Sequence, residues 1–295
     1  MAAPAELEES LVWKLPELGI HRVAVQHRPE SPTERQLIAW LPASDWSEAE
    51  RARLPQALEP LAATFGLPLP ALSWQAQPDE DWSLSWKQHW QPDPVGQHLL
   101  ILPAWLDCPD AHGGRLQIRM DPGSAFGTGS HPTTRLCLEA LERLAAQRGG
   151  TLAGLRVVDL GCGSGVLGLA ALRLGAASVV AADTDSLAVT ATHDNAALNG
   201  LGSQLQVVLG SAAALAELLA AHPADLLLCN ILAPVIEALS PAFRALLAPD
   251  GVGLLSGLLV DQAPRLRHVL ADEGWQAHLA AEKAPWALLE LHKAR

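Results

Sequence analysis

Val157-Val158-Asp159-Leu160-Gly161-Cys162-Gly163-Ser164-Gly165 opens as an apolar run and breaks into a turn with glycine at every second position. The run reads as a buried parallel strand, and Val166 to Leu174 follows with helical spacing and no breaker inside it. A strand, a glycine turn and a helix in immediate succession form a nucleotide-cradling arrangement. Gly161, Gly163 and Gly165 let backbone amides approach a ligand without Cβ interference and permit positive φ. The next apolar run, Ser178 to Ala182, ends at Asp183, about twenty residues past the loop, where an acid is placed to hold both hydroxyls of a ribose. Asp185 with Ser186 suits the N-terminal cap of a helix reaching Asn199.

As a bare pattern the loop is ambiguous, because Gly163-Ser164-Gly165-Val166-Leu167-Gly168 also satisfies the glycine fingerprint of NAD-binding folds. Asp159 separates the two readings. A dinucleotide site aims a helix N-terminus at a pyrophosphate, and a carboxylate beside that anion is repelled. S-adenosylmethionine brings a sulfonium, an ammonium and one carboxylate, so an acid at the strand end suits it. The acidic-x-Gly-x-Gly-x-Gly order resembles the first motif of class I methyltransferases.

Two further stretches narrow the class. Asp121-Pro122-Gly123-Ser124-Ala125-Phe126-Gly127-Thr128-Gly129-Ser130-His131-Pro132-Thr133-Thr134 packs glycine, proline and hydroxyl residues before a helix-like run from Arg135 to Arg148. Loops of this density close over something, the bland alternative being a surface turn with Thr133 or Thr134 as helix cap. Asp225 to Cys229 is another apolar strand and stops at Asn230-Ile231-Leu232-Ala233, which puts an asparagine into the ligand crevice. Together the loop, the Asp159 to Gly165 motif, Asp183 and Asn230 resemble the ribosomal protein L11 methyltransferase family, over most of the chain from about Asp79 onward. The resemblance implies contacts to S-adenosylmethionine from Thr134, Gly161, Asp183 and Asn230, with Asp159 and Gly163 in the same motif. It places Phe126 and His131 in a loop over the cofactor. It implies methylation of lysine side chains and the N-terminal amine of ribosomal protein L11, met free before ribosome assembly.

Organisation along the chain fits an α/β fold, a doubly wound, mostly parallel seven-stranded methyltransferase sheet with a smaller N-terminal α+β domain. Strands and helices alternate from Asp159 onward. A helix over 234–247, a Pro249-Asp250-Gly251 turn, a strand over 253–256 and a helix over 260–273 are expected. Two strands follow, over 276–281 and 286–292, joined only by Glu282-Lys283-Ala284-Pro285. So short a link forces a hairpin, and the last strand must be antiparallel. The expected domains are a substrate-recognition domain over 1–77, a linker helix and hinge over 78–96, and the methyltransferase domain over 97–295. The family resemblance makes the first domain ferredoxin-like. Its elements are a helix over 5–18, strands at 23–26 and 37–41, a helix over 47–65 opened by the Ser47-x-x-Glu50 capping box, and a strand near Ser73-Trp74-Gln75. The family's domain begins with a strand, whereas this chain opens in the helix. Trp82, Trp86 and Trp90 recur on one helical face as an anchor for the linker, and Pro92-Asp93-Pro94 reads as flexible.

The chain's 295 residues carry a net charge of −12, which disfavours a nucleic-acid surface and suits a basic protein partner. Cys108, Cys137, Cys162 and Cys229 lack Cys-x-x-Cys spacing, so free thiols in a cytoplasmic setting are expected. No basic group adjoins Cys162 to make it a nucleophile. No metal site is expected, since none of the 11 His falls in a compact cluster. No run is apolar for long enough to span a membrane, and a monomer is expected.

The chemistry follows from the acceptor. Methyl transfer is an in-line displacement in which the enzyme aligns nucleophile, methyl and leaving sulfur. A lysine amine must first lose its proton, which costs about 4.6 kcal/mol at pH 7. Asn230 and His131 are the catalytic candidates: the Asn230 carbonyl oxygen or nearby backbone carbonyls to orient the amine, His131 for contact with cofactor or substrate, or else for hydrogen bonding inside its loop. Asn230-Ile231-Leu232-Ala233 lacks the Pro-Pro-aromatic sequence of methyltransferases that act on planar amides and bases. Rival readings are a methyltransferase for another protein or small-molecule amine, an NAD-dependent oxidoreductase, and a non-catalytic cofactor-binding module.

Overall fold

The computed structural model describes residues 4–20, 23–28, 31–39, 41, 46–75, 90–121 and 129–294. The chain divides into two compact units, Met1–Trp82 and Ser83–Arg295.

In the smaller unit the described elements are α1 (Ala5–Glu17), β1 (Val23–Arg28), β2 (Ser31–Ala39) and α2 (Glu48–Thr64). That αββα order matches the middle four elements of the βαββαβ order of ferredoxin-like domains. Leu7, Leu11 and Leu15, one helical turn apart, are buried with Leu54 and Leu58 of α2 and Leu37 of β2. The expected capping box is present: Ser47 Oγ accepts from Glu50 N at 3.3 Å, and Ser47 N donates to Glu50 Oε2 at 2.7 Å. The strand expected at 73–75 is not formed. Residues 67–75 have no regular structure, and the exposed Trp74 ring faces the Arg51 guanidinium of α2 at 5.8 Å in place of a strand partner.

The larger unit begins with a small sheet of β3 (Asp93–Val95), β4 (Leu99–Pro103) and β5 (Leu116–Met120), in which β3 is antiparallel and β5 parallel to β4. This corrects the expectation of a flexible hinge at Pro92-Asp93-Pro94. Asp93 is paired into the sheet, and both its carboxylate oxygens accept from Arg135 Nη1 at 2.7 Å. The linker positions Trp82 and Trp86 lie outside the described residues, while the Trp90 ring sits 6.4 Å from that of Trp105.

α3 (Pro132–Gln147) starts earlier than Arg135, with His131 as its cap in place of Thr133 or Thr134. Pro132 at the first helical position supplies a preset φ and no unpaired N–H. There follow β6 (Arg156–Leu160), α4 (Val166–Arg173), β7 (Ser178–Asp183), α5 (Ser186–Leu198), β8 (Leu205–Leu209), α6 (Ala212–Leu219), β9 (Ala224–Asn230) and α7 (Ala233–Leu239). The single helix expected over 234–247 is broken at Ser240-Pro241, because Pro241 has no N–H to continue the ladder. A 3-10 turn and the short α8 (Phe243–Leu246) take its place. β10 (Leu247–Leu259) is longer than expected, with its register to β9 interrupted across the Pro249-Asp250-Gly251 stretch. α9 (Ala263–Asp272), β11 (Trp275–Lys283) and β12 (Trp286–Lys293) complete the unit.

The seven strands lie in the order β11-β12-β10-β9-β6-β7-β8. β12 is antiparallel to both neighbours, as the short link requires, and the β6–β10 pairings are parallel. Alternate residues of the central strands face separate cores: Val157, Leu226 and Leu228 go to one side, Val158, Leu227 and Cys229 to the other. Burial on both faces is why these strands read as unbroken apolar runs.

Candidate active site

A cavity of about 490 Å³ opens at the carboxyl ends of β6, β7, β9 and β10, where the strand order reverses between β6 and β9. That switch point is where doubly wound sheets bind ligands. Its walls divide into a polar side, with Gly161, Gly163, Asp183, Thr184 and Ser211, and a more apolar side, with Asn230, Ile231, Leu232, Val235 and Trp286, against which His131 lies.

On the polar side the glycine turn is tied to β7 through backbone bonds: Gly161 N and Cys162 N both donate to Ala182 O, at 2.9 and 3.1 Å. Gly161 has φ +76°, and a Cβ there would strike the Ile231 side chain, so the turn admits only glycine without a shift. Asp183 Oδ2 accepts from Gly163 N at 2.9 Å and Oδ1 from Asp185 N at 3.0 Å. A carboxylate has about four acceptor sites, so each oxygen keeps capacity for a ligand hydroxyl. Asp185 caps α5 by accepting from Leu187 N at 2.9 Å, which leaves Asp183 as the acid at the pocket.

Asp159 sits behind this wall. It is 1% exposed, its Oδ2 accepts from Gly168 N at 3.0 Å, and it does not line the cavity. Burial, with a smaller contribution from the nearby Asp183 charge, raises its pKa to about 7, while the Gly168 bond pulls the other way. Its contribution to the site is therefore mechanical: it fixes the start of α4 beneath the glycine turn. Cys162 is buried, and burial together with the Asp159 charge pushes its thiol up to about 12, so it is no nucleophile.

On the apolar side Asn230 Nδ2 donates to Thr134 Oγ1 at 3.2 Å. Thr134 is itself buried and not on the cavity surface; it reaches the site through Asn230. That bond uses one of the two N–H donors and orients the amide, and the carbonyl oxygen is the side chain's acceptor. His131 Nδ1 lies 2.8 Å from Thr133 Oγ1, and the ring meets Trp286 edge-on with centroids 5.0 Å apart. Phe126 lies outside the described residues.

Trp286 is the aromatic lining residue that sequence reasoning passed over, as it did Thr184, Ser211 and Val235. Because β12 runs against the other strands, its first residue falls at their carboxyl edge, where Trp286 pairs with Leu259. The signal was available: once the last strand is known to be antiparallel, its opening residue belongs to the ligand edge.

The donor set fits S-adenosylmethionine. Among the described residues lining the cavity there is one carboxylate, Asp183, and no Lys or Arg to meet a pyrophosphate. The volume is in the range of pockets that enclose ligands of this size. Sheet order, glycine turn and pocket define a class I S-adenosylmethionine-dependent methyltransferase. A family profile described as "Ribosomal protein L11 methyltransferase (PrmA)" matches residues 4–294. The ribosomal protein L11 methyltransferase of Parasynechococcus marenigrum (strain WH8102) is 66% identical over 294 residues, 99% of this chain and 100% of that one. The protein of the same description from Synechococcus elongatus (strain ATCC 33912 / PCC 7942 / FACHB-805) is 44% identical, covering 96% and 92% of the two chains. The crystal structure of ribosomal protein L11 methylase from Lactobacillus delbrueckii subsp. bulgaricus superposes with a TM-score of 0.60 at 33% identity, covering 70% of this chain and 100% of that one. The chain belongs to the ribosomal protein L11 methyltransferase family.

Proposed function

We propose that the chain methylates ribosomal protein L11 on lysine side-chain and N-terminal amines, with S-adenosylmethionine held across the glycine turn and Asp183. When bound, the cofactor supplies a methyl group on a sulfonium, open to in-line attack. The residues of this chain do the rest. Asp183 accepts from the ribose hydroxyls; Gly161 and Gly163 let the backbone close on the cofactor. Asn230, fixed by Thr134, offers its carbonyl oxygen to an N–H of the incoming amine and so aims the lone pair along the attack line.

The amine must arrive at the methyl uncharged. Ile231, Leu232, Val235 and Trp286 line its side of the pocket, and desolvation there lowers an amine's pKa, as does a neighbouring cation. The proton leaves to water before transfer, so no side chain is needed as a dedicated base. Trp286 and His131 wall the approach and exclude water from it. A long, flexible aliphatic amine is the acceptor this wall suits, since no aromatic residue stands at 231–233 to clamp a planar group.

The observation that carries the proposal is Asn230 at the pocket edge, its side-chain amide oriented by an N–H donated to Thr134. The test is intact-mass analysis of purified ribosomal protein L11, free of ribosomes, incubated with the protein and S-adenosylmethionine beside a control without cofactor. Successive methyl increments that map to amines are expected. An unchanged mass, with cofactor binding verified in the same sample, overturns the assignment of substrate.

A further inference from the structure

Away from the pocket, the outer hairpin of the sheet carries a group that the methyl-transfer reading leaves unused. β11 is the edge strand, and it pairs with β12 so that His278 faces Glu290 and Gln276 faces His292. Register alone therefore places His278, Glu290 and His292 on one sheet face, since residues two apart on a strand share a side. His292 Nε2 lies 2.9 Å from Glu290 Oε1 and His278 Nε2 lies 3.9 Å from the same oxygen. The two imidazoles are parallel within 1°, with centroids 6.0 Å apart. Among the described residues this is the only trio of His, Cys, Asp or Glu whose ligand atoms all lie within 4.8 Å of one another. The sequence expectation of no metal-type His cluster fails here because the two histidines are brought together by cross-strand pairing and not by a short spacing.

We propose that His278, Glu290 and His292 form a binding site for a divalent transition-metal ion of the zinc class. Two imidazole nitrogens and a carboxylate are a donor set that zinc takes with one position left open, and imidazole suits Zn, Ni and Cu while Mg and Ca need oxygen ligands. Both His Nε2 atoms already point at one carboxylate oxygen, so an ion placed among them replaces a hydrogen bond and a loose contact with three bonds to one centre. All three side chains are reached by solvent, at 53%, 33% and 41% exposure, which gives an ion an entry path. The strands so joined are those of the hairpin that delivers Trp286 to the pocket, four residues from Glu290 along β12, about 14 Å. A bound ion ties the free edge strand to β12 at the end of the hairpin remote from the pocket.

The test uses the full chain, stripped with chelator and dialysed, titrated calorimetrically with Zn²⁺ and separately with Mg²⁺, and loaded with Co²⁺ for its visible spectrum. One Zn²⁺ per chain, no comparable heat from Mg²⁺ and a Co²⁺ spectrum of low-coordinate N/O type are expected. His278→Asn, Glu290→Gln and His292→Asn should each weaken Zn²⁺ at least tenfold, whereas His268→Asn, at an exposed His–Asp pair elsewhere, should not. Cofactor affinity, measured on each variant, establishes that it is folded. Absence of Zn²⁺ binding at micromolar concentration overturns the proposal, as does undiminished binding in the folded His278→Asn and His292→Asn variants.

Discussion

The two sides of the pocket are held in place by different kinds of contact. On the carboxylate side, Asp183 is clamped at both oxygens by backbone amides. Gly163 O accepts from Thr192 at 2.9 Å and Ser164 O from Asn195 at 3.0 Å, so the glycine turn is braced from α5 as well as from β7. On the aromatic side, Asn230 has its bond with Thr134, His131 is oriented by Thr133, and Trp286 meets His131 by a ring edge; the Ile231 and Leu232 side chains add apolar surface. A cofactor of fixed shape is served by a prearranged wall, which avoids ordering costs on binding. Acceptor amines that arrive on different stretches of a substrate are better served by a wall that fixes one polar atom and leaves the remainder to apolar contact.

Substitutions on the two sides should separate binding from turnover. Asp183→Ala removes the acceptor for two ribose hydroxyls and orphans two backbone amides. Cofactor affinity, read by calorimetry, should fall by about 4 kcal/mol, or just under 10³-fold. Asn230→Ala should lower turnover about 10²-fold while cofactor affinity changes by no more than about fivefold, the worth of one neutral hydrogen bond. Single-turnover rates at saturating cofactor check this; an unchanged rate would remove Asn230 from the orientation of the amine and erase the contrast.

Asp159 tests how much of the braced side is fold and how much is binding. Its folded pKa of about 7 stands above its ordinary value of 3.8 because the fold buries it. The folded chain therefore holds this proton over a range where the unfolded chain has lost it. The associated stability is full below about pH 3.8, declines as pH rises through the interval to about 7, and is flat above. Between pH 5 and 8 the loss should be roughly 2 kcal/mol. Asp159→Asn keeps an acceptor for Gly168 N and has no proton to lose, so its urea midpoint should decline less over that interval than the parent's. Parallel declines in the two proteins would mean that other groups set the pH dependence.

The same division governs what could be read from the sequence. The carboxylate side is local: the strand, the glycine turn and the acid closing the next strand fall within about thirty residues, and each has a backbone reason to be where it is. Asn230 was legible because it ends an apolar strand. The aromatic side is assembled from far-apart segments, and Trp286 becomes visible only when the antiparallel sense of β12 is carried through to its consequence. Asp159 marks the right loop in the sequence, although the fold buries its carboxyl against Gly168 N, away from the cavity. His131 as a cap was obscured by the two threonines after it, which have the more usual capping chemistry but are buried in the first turn of α3. Pro92-Asp93-Pro94 looked flexible from its prolines, yet Arg135, some forty residues away, holds Asp93 in a strand. The register that joins His278 to Glu290 likewise belongs to pairing and leaves no spacing signature.

The smallest expected effect is the one that bears most directly on the aromatic wall. Trp286→Leu keeps a large apolar side chain on β12 but removes the ring face that attracts a cation. An acceptor lysine reaches the pocket as an ammonium and reacts as an amine, so cation attraction to the ring, about 1 kcal/mol, acts on capture and is gone by the time the methyl moves. The variant should therefore raise KM for ribosomal protein L11 about fivefold and raise kcat by a similar factor, with kcat/KM and cofactor affinity close to the parent's, the pattern of an interaction made in the ground state and lost before the transition state. A fall in kcat at constant KM would place the ring in the alignment of the reacting amine alongside Asn230. The aromatic wall would then be as prearranged as the carboxylate wall, its order supplied by packing against His131 where the other side uses hydrogen bonds.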